Sequence, residues 1–71
     1  MHIGQLIKQE LASQGRSVTW FAKQLSYSPT FTYRIFDDET IDADLLLQIS
    51  RLLNVDFFKF YSDEFKALMK G

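Results

Sequence analysis

Seventy-one residues, 46% apolar and 15% aromatic, with a net charge of −1 and no cysteine, describe one small domain. Such a chain buries only about 60% of the surface it exposes when unfolded, and without thiols neither a disulfide framework nor a thiolate metal site can supplement its core. The apolar content argues against disorder. The start MHIGQLIKQE has no basic region followed by an unbroken apolar run, and no stretch approaches about 18 apolar residues, so the expectation is a cytoplasmic protein that neither enters nor crosses a membrane.

Ile3, Leu6, Ile7 and Leu11 recur at i, i+3, i+4 and i+8, which predicts an amphipathic first helix over about residues 3–14. Gly15 is placed to end it in the left-handed conformation. His2 lies at a terminus expected to fray. The second helix, 18–25, opens at Ser17, whose hydroxyl can accept a bond from a free first-turn amide. It carries Phe21, Ala22 and Leu25 as an apolar stripe with one small member, and that small residue allows another helix to cross closely. Ser26-Tyr27-Ser28 interrupts the pattern. Ser28-Pro29 restarts it, with Ser28 as cap and Pro29 at the first helical position, where a missing amide costs nothing.

In the third helix, 29–36, the helical wheel points Thr32 and Ile35 inward, with Phe31 and Phe36 on the flanks. Thr30, Tyr33 and Arg34 point outward, and Pro29 shares their N-terminal edge. Two short helices joined by a tight turn, the second with an exposed face, form the layout of a helix-turn-helix. Residues 37–41 read as a loop. Asp42 caps a fourth helix, 43–53, with Leu46, Ile49, Leu53 and Leu45 or Leu52 toward the core, and Asn54 suits a left-handed end. Asp56 can cap a fifth segment, 57–69. On one continuous helix its Phe57, Phe58, Tyr61, Phe65, Leu68 and Met69 share an arc of about 120°, with Phe60 outside it. Ser62-Asp63-Glu64 is also a helix-start signal, so a break near Ser62 is an open alternative.

These features resemble the small Cro/repressor-type, or XRE-family, helix-turn-helix proteins, over most of the chain. Ala22 stands at the small position of that motif, Phe21 and Leu25 at its apolar positions, and Ile35 at the buried aliphatic near the end of the second motif helix. Residues 42–55 resemble the helix that follows. Val18 replaces the glutamine common at the start of the first motif helix, Ser26 replaces the turn glycine, and Thr32 replaces a buried aliphatic. The resemblance implies an all-α, lambda-repressor-like bundle of about five short helices. It also implies a sequence-specific transcriptional regulator that reads the major groove of double-stranded DNA as a homodimer.

The candidate DNA-binding residues are Ser17, Lys23, Ser28, Pro29, Thr30, Tyr33 and Arg34. Arg34 can give two parallel hydrogen bonds to guanine, and Thr30 offers a hydroxyl and a methyl. The charge distribution fits, since residues 1–36 carry Lys8, Arg16, Lys23 and Arg34 against Glu10 alone, a net of +3. Residues 37–71 carry four basic side chains against eight acids, a net of −4. The acids Asp37, Asp38 and Glu39 oppose phosphate contact if they lie near it. A rival reading is a helix-turn-helix-like module that recognises protein and not DNA.

An enzyme is not indicated. One terminal histidine and no cysteine leave nucleophilic triads without placed parts and zinc without ligands. Glycines at 4, 15 and 71 make no phosphate loop. No cofactor, metal or small-molecule substrate is implied. The surplus aromatics of 57–69 mark a candidate dimer interface at Phe57, Phe60 and Tyr61, against the simpler reading that this segment closes the core of the monomer.

Overall fold

The computed structural model describes residues 1–70 and contains five α-helices and no strand among them: α1 (Ile3–Ser13), α2 (Val18–Leu25), α3 (Pro29–Asp37), α4 (Ala43–Leu53) and α5 (Phe58–Lys70). None is long and apolar enough to cross a membrane. Side-chain caps set where these helices begin. Ser17 Oγ accepts from the Trp20 amide at 3.0 Å, Ser28 Oγ from Phe31 at 3.1 Å, and Asp42 Oδ2 from Asp44 and Leu45. Such caps are each worth on the order of 1 kcal/mol. Left-handed residues end three of the elements: Gly15 after α1, Ser26 after α2 (φ 58°) and Asn54 after α4 (φ 56°).

His2 is a correction to the expected frayed start. Its Nδ1 accepts the Gln5 amide at 3.2 Å, so the imidazole caps α1. The first turn of α1 is also tied to the far end of α3. The amides of Ile3 and Gly4 donate to the carbonyls of Glu39 and Asp38 at 3.1 and 3.0 Å, and Gln5 Nε2 donates to Phe36 O at 2.9 Å. The free N–H groups of one helix thereby satisfy carbonyls just past the end of another, groups that would otherwise need water.

The core is Ile3, Ile7 and Leu11 of α1, Phe21 and Ala22 of α2, Ile35 and Phe36 of α3, Leu46, Ile49 and Leu53 of α4, and Phe57. Phe21 and Phe36 stack with centroids 6.1 Å apart, so Phe36 is a core residue and not a flank. Trp20, Tyr27, Leu45 and Leu52 pack against this cluster half-buried. Gln14 Nε2 reaches Leu53 O at 2.8 Å and joins the C-terminal ends of α1 and α4.

α5 is the one continuous helix the spacing predicts, with no break at Ser62, but it does not close the core. Only Phe57, just before the helix, is fully buried; Phe58 is half-buried and residues 59–70 are exposed. The chain measures 41 × 20 × 18 Å with a radius of gyration of 12.7 Å, against ~11 Å for a compact domain of this length. The excess length is α5.

Candidate nucleic-acid interface

α3 is held by one face and leaves the other open. Its inner residues Thr32, Ile35 and Phe36 are buried against α1 and α2, both of which pack on it. Thr32 lies inside without an unsatisfied hydroxyl, because Oγ1 donates to Ser28 O one turn back at 3.0 Å. Pro29, Thr30, Tyr33 and Arg34 are exposed, and Thr30, Tyr33 and Arg34 form a single outer row at i, i+3 and i+4. Tyr33 is not a free arm. Its ring meets Phe36 edge-on at 6.1 Å, which fixes its direction through a core residue.

Phe31 joins this surface. It is exposed, and its ring meets Tyr27 edge-to-face with centroids 4.7 Å apart. The pair presents a rigid aromatic edge beside the N-terminus of α3. Ser17 and Ser28 are exposed, and each hydroxyl oxygen accepts a first-turn amide while its O–H can still donate to a ligand. Lys23 lies on the exposed side of the last turn of α2, on a different element from the Thr30–Arg34 row.

Arg16 is the residue that charge counting alone did not single out. Its guanidinium lies over the Trp20 ring at 4.1 Å, and Nε donates to Gln14 Oε1 at 3.0 Å. These contacts fix a cation next to the capped N-terminus of α2, where the helix dipole adds positive potential. Arg16 precedes the cap of α2, so no helical spacing in the sequence announces its contact with Trp20.

Asp37 is the last residue of α3, and Asp38 and Glu39 follow it, all exposed. The rise from Thr30 to Asp37 is about 10 Å, longer than the Debye length of about 8 Å at physiological salt. The acids therefore oppose anions at the C-terminal end of α3 far more than at its tip. A separate concavity of about 530 Å³, lined by Gln24, Leu25, Ser26, Gln48, Arg51 and Leu52, lies between α2 and α4, and none of its lining belongs to the outer row of α3.

Phe57, a candidate for a surface contact from the sequence, is removed from that role by its burial in the monomer core. Phe60 leans on it at 6.1 Å between centroids and stays part-exposed, as does Tyr61. No family model matches the chain, and no curated protein or solved structure matches it at a significant level.

Proposed function

We propose that this chain is a sequence-specific DNA-binding transcriptional regulator of the helix-turn-helix type, acting in the cytoplasm, with α3 as the helix that enters the major groove. One observation carries the reading. α3 is capped at its N-terminus by Ser28, anchored by Thr32, Ile35 and Phe36, and free along Pro29, Thr30, Tyr33 and Arg34. That arrangement suits a rigid helix whose first turns and outer row meet base edges. Arg34 supplies charged readout, Thr30 a hydroxyl and methyl, and Tyr33 a phosphate or sugar contact. Arg16 and the α2 N-terminus, with Lys23, supply backbone attraction in the half of the chain that carries the +3 charge. The resemblance to XRE-family proteins points the same way.

A protein-recognition role is the second reading, favoured by the exposed Tyr27–Phe31 edge and by the shortage of amide and basic side chains on α3. Selection of bound sequences from a random duplex library, with the full chain at low salt, separates the two. Enrichment of a defined motif is expected. Failure to retain any duplex at about 50 mM salt, where phosphate contacts are strong, overturns the DNA reading.

A further inference from the structure

The tip of α3 is short of groups that can hydrogen-bond base edges. Pro29 has no N–H, and the amides of Phe31 and Thr32 donate to Ser28, to Oγ at 3.1 Å and to the backbone carbonyl at 3.0 Å. Of the exposed first-turn side chains, Pro29, Thr30 and Phe31, only Thr30 carries a polar atom, its hydroxyl. Arg34 stands a full turn further along. Phe31 dominates the tip. It is 44% exposed, and its ring is held edge-to-face against Tyr27, with centroids 4.7 Å apart and planes at 68°. Tyr27 packs half-buried on the core, so the Phe31 ring is backed from within the fold.

We infer that Phe31, with the methyl of Thr30, reads the C5-methyl group of pyrimidines, so that the operator places thymine or 5-methylcytosine against the tip of α3. The inference rests on the DNA reading above and names what its recognition helix selects. Among the four bases only thymine presents an apolar group in the major groove; the others present hydrogen-bond donors and acceptors. A phenyl ring set against guanine N7 and O6, or against the cytosine amino group, strips water from them and supplies no hydrogen bond. Set against a methyl group, it covers apolar surface instead. A ring already held by Tyr27 also has little rotamer freedom left to lose on contact. Selection therefore combines attraction to one group with exclusion of the others. The exposed aromatic edge and the shortage of amide side chains, both ill suited to hydrogen-bonded readout, are what methyl readout requires.

Fluorescence anisotropy on the duplex selected by the full chain, with each thymine replaced in turn by uracil, tests the inference. Uracil keeps the base pair and removes only the methyl. One or two thymines should respond, each with a loss of about fourfold, the contribution of one buried methyl group. At such a position cytosine binds worse than thymine, and 5-methylcytosine recovers about fourfold over cytosine. Phe31→Ala, at an exposed position, keeps the melting curve and the slope of affinity with salt, because phosphate contacts are untouched. It loses the uracil effect at one of the responding thymines. Thr30→Ser keeps the hydroxyl and loses the effect only where the threonine methyl makes the contact. Specific binding that is equal for thymine and uracil at every position overturns methyl readout and leaves the DNA reading standing. A uracil effect that persists in both variants overturns its assignment to these side chains. A chain that retains no duplex removes the DNA reading, and this inference with it.

Discussion

Gly4 offers the sharpest test of how the body of the domain is held together. It is buried in the first turn of α1, where that turn crosses the end of α3. A Cβ on Gly4 would press on the carbonyl oxygen of Ile35 and lie 2.7 Å from those of Phe36 and Asp38. All three are backbone atoms, so no side chain can swing away. Making room means parting α1 from α3, which strains the bonds Ile3 N to Glu39 O, Gly4 N to Asp38 O and Gln5 Nε2 to Phe36 O. Overpacking of this kind costs about 1–3 kcal/mol, and each bond weakened costs about 1 kcal/mol. Alanine's better helix propensity returns at most about 1 kcal/mol.

Gly4→Ala should therefore lose about 2–4 kcal/mol from a total of roughly 4–10 kcal/mol for a chain of this size. At about 4–8 °C per kcal/mol, that is a fall in Tm of roughly 8–32 °C. Gly15→Ala is the control. Gly15 has φ +69° but open space around its Cβ position, so it should lose only about 1–2 kcal/mol, from backbone strain alone. Urea and thermal melts followed by far-UV circular dichroism measure both. A Gly4→Ala variant as stable as the native chain, or more so, would refute the close approach and leave helix propensity as the governing term.

Ala22→Leu should cost about 1–3 kcal/mol in the same melts, because the residue is buried where α2 packs on α3; unchanged stability would mean these helices do not cross there. Ser26→Gly should add about 1 kcal/mol by relieving a left-handed non-glycine residue at φ 58°, and a loss of stability would show that the serine side chain matters more than its backbone. Arg34→Ala should keep its melting curve and weaken the selected DNA motif by about 1–3 kcal/mol at one base position, a change absent if Arg34 lies off the duplex. Replacing Asp37, Asp38 and Glu39 together with asparagine should tighten non-specific duplex binding less than about tenfold, given their distance from the α3 tip; a larger gain in a salt titration would bring the loop against the phosphates.

Much of this architecture was legible because its determinants are local. Ser17, Ser28 and Asp42 announce helix starts, and Gly15, Ser26 and Asn54 announce ends. The spacing of Ile3, Ile7 and Leu11, or of Leu46, Ile49 and Leu53, marks the buried face. Periodicity assigns a side chain to a face but not a depth along the axis, and α5 shows the difference. Phe57, Tyr61, Phe65 and Leu68 fall within one arc, yet only Phe57 is in the core, because the later turns of α5 face Met1, Glu39 and Thr40 across an open groove and do not pack against the body. Gly4 was equally hidden, since its neighbours lie more than 30 positions away. His2 becomes a cap only because the backbone before α1 is extended (φ −121°, ψ 98°) and brings its ring to the Gln5 amide. For the candidate interface, the wheel placed the outer row of α3, while the Arg16–Trp20 contact needed the coordinates.

The single attachment of α5 has an energetic consequence for the chain on its own. A helix of 13 residues is near the shortest that stands in water without tertiary support, and only its first residues have any here. Its outer turns are the least protected backbone of the molecule, opening at a small fraction of the free energy that unfolds α1–α4. Whatever settles on its apolar face must first freeze those turns, so part of the contact energy is consumed in ordering them. Covering this face and completing the helix would therefore be one coupled equilibrium, with the length of α5 that persists set by how much of its apolar face is covered.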